Sequence, residues 1–199
     1  DPFKISEEDK DTLRKVLPYW EDKTISDLAS SYMSEKTKEC IANGVFTVGN
    51  YFFGGVGHII IDYDKAIRRG YKAIIQDAVE ALESFDCNDP DFIQKTQFCK
   101  AIITVLSAAI NFAKRYSDKA KEMAAVETNP TRKAELLQIA ANCEKVPANG
   151  ATNFYEACQS FIITQMILQV ESSGHSESPG RFDQYMYPYL EKDLASGAI

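Results

Sequence analysis

The sequence predicts a mainly α fold with one or two short strands. Three observations predict it. From Tyr63 onward, apolar residues recur at three- and four-residue spacing over most of the chain. Helix-start signals precede those runs: a Ser, Thr, Asp or Asn followed by Pro, or by an acid three residues on. The glycine-rich, weakly charged stretches that interrupt the pattern fall mainly at 44–62 and 174–180. A length of 199 residues makes one domain the default.

Residues 1–43 read as short helices. Ser6 with Asp9 starts one, which Pro18 stops, and Thr24 with Asp27 starts another; both are capping boxes with Asp in place of Glu. Residues 44–62, GVFTVGNYFFGGVGHIIID, hold five glycines among aromatic and β-branched residues, a mixture that helices avoid. They predict a buried loop leading into a short strand at His58–Ile61. Residues 63–173 read as helices. The first covers Asp64–Phe85. Asp89-Pro90 then reads as an N-cap with Pro at the first helical position, opening a long helix over 90–126. Asn129-Pro130 repeats that start, and Pro147 ends the helix it opens. Asn153 with Glu156 opens Phe154–Ser172, apolar on most sides, which predicts a central helix buried by several neighbours. Residues 174–199 form a loop to Gly180 and a last helix, Tyr185–Ala195, with Pro188 near its start.

Composition excludes several function classes. A net charge of −7 argues against a nucleic-acid surface, which needs clustered Lys and Arg. No apolar run reaches the ~18 residues of a membrane span. The start at Asp1-Pro2-Phe3-Lys4 shows no signal peptide and suggests a processed or excised chain. Five widely spaced cysteines without a C-x-x-C make neither a disulfide framework nor a zinc ribbon, so a reducing cytoplasm is expected.

The two histidines are the candidate chemical groups. His58 follows Gly54-Gly55-Val56-Gly57, and His175 stands between Gly174 and Ser176, just past the most apolar helix. Both lie in loops, where binding groups concentrate, yet composition alone favours a structural role over a catalytic one for each. Glu171 and His175 have metal-ligand spacing, but Gly174 breaks the helix between them and no second histidine is near in sequence. No G-x-S-x-G, P-loop or H-E-x-x-H occurs.

Three segments, in the order a known family has them, carry a resemblance: NYFFGGVGHIIIDYDKAIRRG (50–70), NFAKRYSDKAKEMAAVETNPTRKAELLQIA (111–140) and GHSESPGRFDQYMYPYLEKDL (174–194). They resemble the pyruvate formate-lyase-type glycyl radical enzymes, and the pairing of Gly57-His58 with His175-Ser176 is most like the glycerol and propanediol dehydratase branch. The resemblance covers essentially the whole chain, as a partial domain. It implies that these residues are part of a ten-stranded α/β barrel sheathed in helices. It implies that His58 and His175 are catalytic, and that His58, His175 and Ser176 bind the hydroxyls of a small diol such as glycerol or 1,2-propanediol. Formate C-acetyltransferase chemistry is the related reading.

The family also implies a protein glycyl radical, installed by an iron–sulfur S-adenosylmethionine activating enzyme, with no cofactor bound in this segment. Partners would be the small-molecule substrate, the activating enzyme, the rest of the barrel and a second copy in a homodimer, with neither nucleic acid nor membrane. The family's thiyl cysteine loop and C-terminal glycine motif are absent, so this segment is expected to be inactive alone. The alternative is a non-catalytic helical interaction module. It predicts a closed core without large exposed apolar patches.

Overall fold

The computed structural model describes residues 4–47, 57–172 and 174–199. Contacts divide them into two units. One takes the residues up to Gly57 together with Glu171–His175; the other takes His58–Val170 and Ser176–Ile199.

In the first unit, α1 (Glu7–Val16), a 3₁₀ turn (Leu17–Trp20), α2 (Ile25–Ser31) and α3 (Glu35–Ala42) follow one another. Their starts are those the sequence signals. The Ser6 hydroxyl accepts from the Asp9 N–H, and Thr24 with Asp27 forms a complete capping box. Pro18 ends α1 and opens the 3₁₀ turn. None of these elements buries a residue, and Tyr32 is 85% exposed. Caps and local ion pairs such as Lys10–Glu7 hold them.

The second unit is built from α4 (Tyr63–Arg69), α5 (Tyr71–Ser84), α6 (Phe92–Val126), α7 (Pro130–Lys145), α8 (Phe154–Glu171, its last residue grouped with the first unit) and α9 (Phe182–Ser196). The helix expected over 64–85 is two helices. Gly70, at φ 73 and ψ 162, separates them in a conformation that L side chains avoid. A Cβ there would overlap the Asn149 backbone. The Pro147 and Ala148 carbonyls then accept from the Tyr71 and Lys72 N–H groups, which have no partner inside α5. The long helix begins at Phe92 rather than at Pro90. The Asp89 carboxylate accepts from the Asp91 N–H in a local turn, which delays the helix by two residues. Asn129 caps α7 as its sequence predicts, accepting from the Thr131 and Arg132 N–H groups.

Along α6 a stripe of small residues, Ala109, Ala113, Ser117, Ala120 and Ala124, is buried. It permits close approach to α7, where the Ser117 hydroxyl donates to the Ala140 carbonyl at 2.8 Å. The expectation that no segment could span a membrane needs correction. By length and composition alone, α6 is long and apolar enough to cross one.

Helix α8 is central, as expected, but its cover is one-sided. Its Ala157 joins Tyr63, Ile67 and Met186 in one core cluster, and its Ile163 joins Ala113 and Cys143 in another. Yet Tyr155, Ile162 and Val170 are exposed. An apolar face left open among the described residues accounts for the all-round apolarity.

The expected strands are also corrected. Among the described residues, Ile60 makes an isolated parallel bridge with Ser178, and no strand forms. His58 has a left-handed φ of 56, and Asp62 already caps α4, so only Ile59–Ile61 remain to extend between them. The rest of the Gly-rich loop, 48–56, and the break at Ser173 lie outside the described residues.

Candidate functional site

The isolated bridge organises the candidate site. The Ser178 N–H donates to the Ile59 carbonyl at 3.1 Å, which fixes the 58–61 segment beside 176–180 in parallel. His58 stands two residues before Ile60, and Ser176 stands two residues before Ser178. The two therefore occupy equivalent positions on either side of the bridge. Both are exposed, and both hold left-handed backbone, at φ 56 and φ 61. Non-glycine residues adopt that region at a cost of about 1–3 kcal/mol, and such residues concentrate at functional sites. Among the described residues, the remaining non-glycine with positive φ is Asp22, in a surface turn of the first unit.

His175 belongs to the first unit. Its N–H is shared between the Ser172 carbonyl and the Ser172 hydroxyl, each at 3.2 Å, and Ser172 is buried. Gly57 lies against it: a Cβ on Gly57 would overlap the His175 carbonyl and ring. The glycine before His58 is thus required by close approach, a cause the run Gly54-Gly55-Val56-Gly57 only hinted at.

Behind the bridge, burial alternates along the loop. Ser176 and Ser178 are exposed, while Glu177 between them is only 7% exposed. The Glu177 carbonyl accepts from Gln165 Nε2 at 3.0 Å, and Gln165 Oε1 accepts from the Tyr63 hydroxyl. Burial, with the Tyr185 phenol and the Glu177 carboxylate adding to it, pushes the Tyr63 phenol up to about 12. Tyr63 therefore acts as a fixed donor at neutral pH. Among the described residues, neither Glu177 side-chain oxygen has a hydrogen-bond partner. Reading the sequence did not single out Glu177, Tyr63 or Gln165. The signal available was an acid flanked by two serines in a loop, and it becomes informative only once the alternation of burial is known.

Among the described residues, no group of three His, Cys, Asp or Glu is placed to hold a metal ion. Burial raises the thiols of Cys143, to about 11, and Cys158, away from the thiolate form that a reactive cysteine needs.

The Ile60–Ser178 bridge places His58 and Ser176 at corresponding positions in two adjacent segments. Comparison with known proteins bears on their role. The family model described as pyruvate formate lyase-like matches residues 1–199. The chain is 35% identical over 202 residues to a (2S)-3-sulfopropanediol dehydratase of Klebsiella oxytoca, covering 100% of this chain and 24% of that protein. It superposes with a TM-score of 0.82 and 46% identity on a solved structure concerning 1,2-propanediol dehydration in Roseburia inulinivorans, covering 100% of this chain and 24% of that one. The glycerol-bound form of the B12-independent glycerol dehydratase from Clostridium butyricum gives a TM-score of 0.76 and 52% identity, over 94% of this chain and 24% of that one.

Proposed function

The chain belongs to the pyruvate formate lyase-like family of glycyl radical enzymes, and from that premise we propose that it is part of a radical dehydratase acting on a small diol. The chain spans 24% of the relatives described above, so the activity is that of a longer polypeptide. In this reading residues 1–199 contribute substrate-binding groups, and the segment turns nothing over alone. The radical chemistry would come from a glycine and a cysteine elsewhere in the full-length protein, after an iron–sulfur S-adenosylmethionine enzyme has acted on it.

The roles of this chain's own residues follow from the chemistry. Loss of water from a diol requires that the departing hydroxyl be protonated as its C–O bond breaks. An imidazole of His58 or His175 is the general acid suited to that near neutral pH. The other imidazole and the Ser176 hydroxyl hold the remaining hydroxyl and keep the substrate in one orientation. The observation that carries the reading is the matched placement of His58 and Ser176 across the Ile60–Ser178 bridge, both with left-handed backbone. The chain's likeness to proteins whose names specify 1,2-propanediol, glycerol and sulfopropanediol supports the substrate class. Formate C-acetyltransferase chemistry remains the related reading, and no observation favours it.

The test is an anaerobic assay of the activated full-length protein with glycerol, 1,2-propanediol and pyruvate. Turnover of a diol, lost in His58→Ala and His175→Ala and with KM raised in Ser176→Ala, supports the assignment. Turnover of pyruvate alone would move the protein to the formate-lyase reaction. Unimpaired diol turnover in the variants would remove these residues from the site.

A further inference from the structure

We propose that Gln165 and Tyr63 are positioning residues, which pin the peptide group between Glu177 and Ser178 and through it hold Ser176 in its place in the site. The proposal rests on the dehydratase reading only in taking Ser176 as a substrate-binding group.

The peptide group between Glu177 and Ser178 is held at both ends. Its carbonyl accepts from Gln165 Nε2 at 3.0 Å, and its N–H donates to the Ile59 carbonyl at 3.1 Å. In a trans peptide these two groups point in opposite directions, so bonding both fixes the plane against rotation. One anchor is a side chain of α8, and the other is the chain neighbour of His58. Ser176, on the adjoining peptide, has φ 61. Left-handed backbone at a residue other than glycine persists only where its surroundings over-determine it. The doubly held peptide supplies that constraint.

The direction of the hydrogen bonds shows why Tyr63 is needed. A carbonyl can only accept, so the one on Glu177 draws the amide nitrogen of Gln165 toward itself. Gln165 Oε1 is left to face Tyr63, and the Tyr63 hydroxyl donates to it. Tyr63 to Gln165, Gln165 to Glu177 and Ser178 to Ile59 thus run in one direction, the arrangement in which successive bonds polarise and strengthen one another. Tyr63 can hold its end because it is 1% exposed and its ring packs on Phe161 at 4.8 Å and on Tyr185 at 5.8 Å. Phe161 and Gln165 stand one turn apart on α8, so a single tyrosine reaches both.

The experiment uses the activated full-length protein with glycerol and 1,2-propanediol as substrates. Gln165→Met keeps the length of the side chain and removes both of its hydrogen bonds; Tyr63→Phe removes one hydroxyl. Each should raise KM about fivefold, the scale of one hydrogen bond, with kcat changed less than about twofold. Tyr63 acts through Gln165, and Gln165 through Ser176, so the effects should not add. Tyr63→Phe in a Gln165→Met background, and Gln165→Met in a Ser176→Ala background, should each change KM by less than about twofold. A general loss of packing would not produce that pattern. If Ser176→Ala raises KM and the two single variants do not, or if either pair is fully additive, the proposal is overturned. Hydrogen exchange gives a readout independent of the reaction. The Ser178 amide should exchange about tenfold faster in both single variants, and unchanged exchange overturns the proposal whatever the kinetics show. Should Ser176→Ala leave KM unmoved, the pocket assignment falls, while faster exchange in the Gln165 and Tyr63 variants would still support the pinned peptide.

Discussion

At the scale of single residues, two positions show how local geometry sets stability. Gly70 combines a backbone conformation reserved for glycine with direct contact to the Asn149 backbone. Gly70→Ala should therefore cost about 2 kcal/mol or more in chemical denaturation. A change within 0.5 kcal/mol would mean that the α4–α5 junction relaxes easily. Glu156 is the second position. Burial opposes its charge, but the Lys145 ammonium and the Thr152 N–H and hydroxyl outweigh burial and hold its carboxyl below the usual 4.5. A folded-state value below the unfolded one means that the carboxylate stabilises above pH 4.5, and that this stability is lost as pH falls through the depressed value. Glu156→Gln should cost roughly 1 kcal/mol at pH 7, and the gap to wild type should close below about pH 4.5. A gap independent of pH would assign the effect to packing.

At the scale of elements, the sequence was legible where the signal is a local hydrogen bond. Thr24, Asn129 and Asn153 cap helices because a short side chain reaches an N–H two or three residues on, and nothing distant can alter that. It was illegible where a distant partner decides. The break at Gly70 depends on Asn149, and the loss of the strand at His58–Ile61 reflects that, among the described residues, only Ser178 bridges to it. The candidate site follows the same division. His58, His175 and Ser176 stand out as loop residues, whereas Glu177 emerges only from tertiary burial. One long-range cap invites a test. The buried Asp193 in the last turn of α9 accepts from the Phe154 N–H at 2.7 Å, tying the end of α9 to the start of α8. Asp193→Ala leaves that amide without its partner and should cost roughly 1–3 kcal/mol in a thermal or urea melt. An unshifted melt would show that water replaces the carboxylate.

At the scale of the whole molecule, the question is whether these residues are complete by themselves. The second unit buries three small apolar clusters, yet Phe98 and Val105 of α6 and Ile162 of α8 remain exposed. An almost wholly apolar groove runs between α5, α6 and α8, lined by Ile74, Ile102, Leu106 and Ile167. Its Tyr71 hydroxyl and Thr164 hydroxyl already bond each other at 2.7 Å, so the groove offers nothing to a polar occupant. Surfaces of this kind mark contacts still to be made. A segment of a longer enzyme would show them; a self-contained helical module would not. The 199 residues expressed alone should bind a hydrophobic dye and self-associate, and Phe98→Glu with Val105→Glu should suppress both. If the groove is filled in the full-length protein, the same pair of charges should lower its thermal midpoint, because the carboxylates would then be buried. A wild-type segment that stays monomeric and dye-free, or a full-length protein indifferent to the two charges, would restore the reading of an autonomous interaction module.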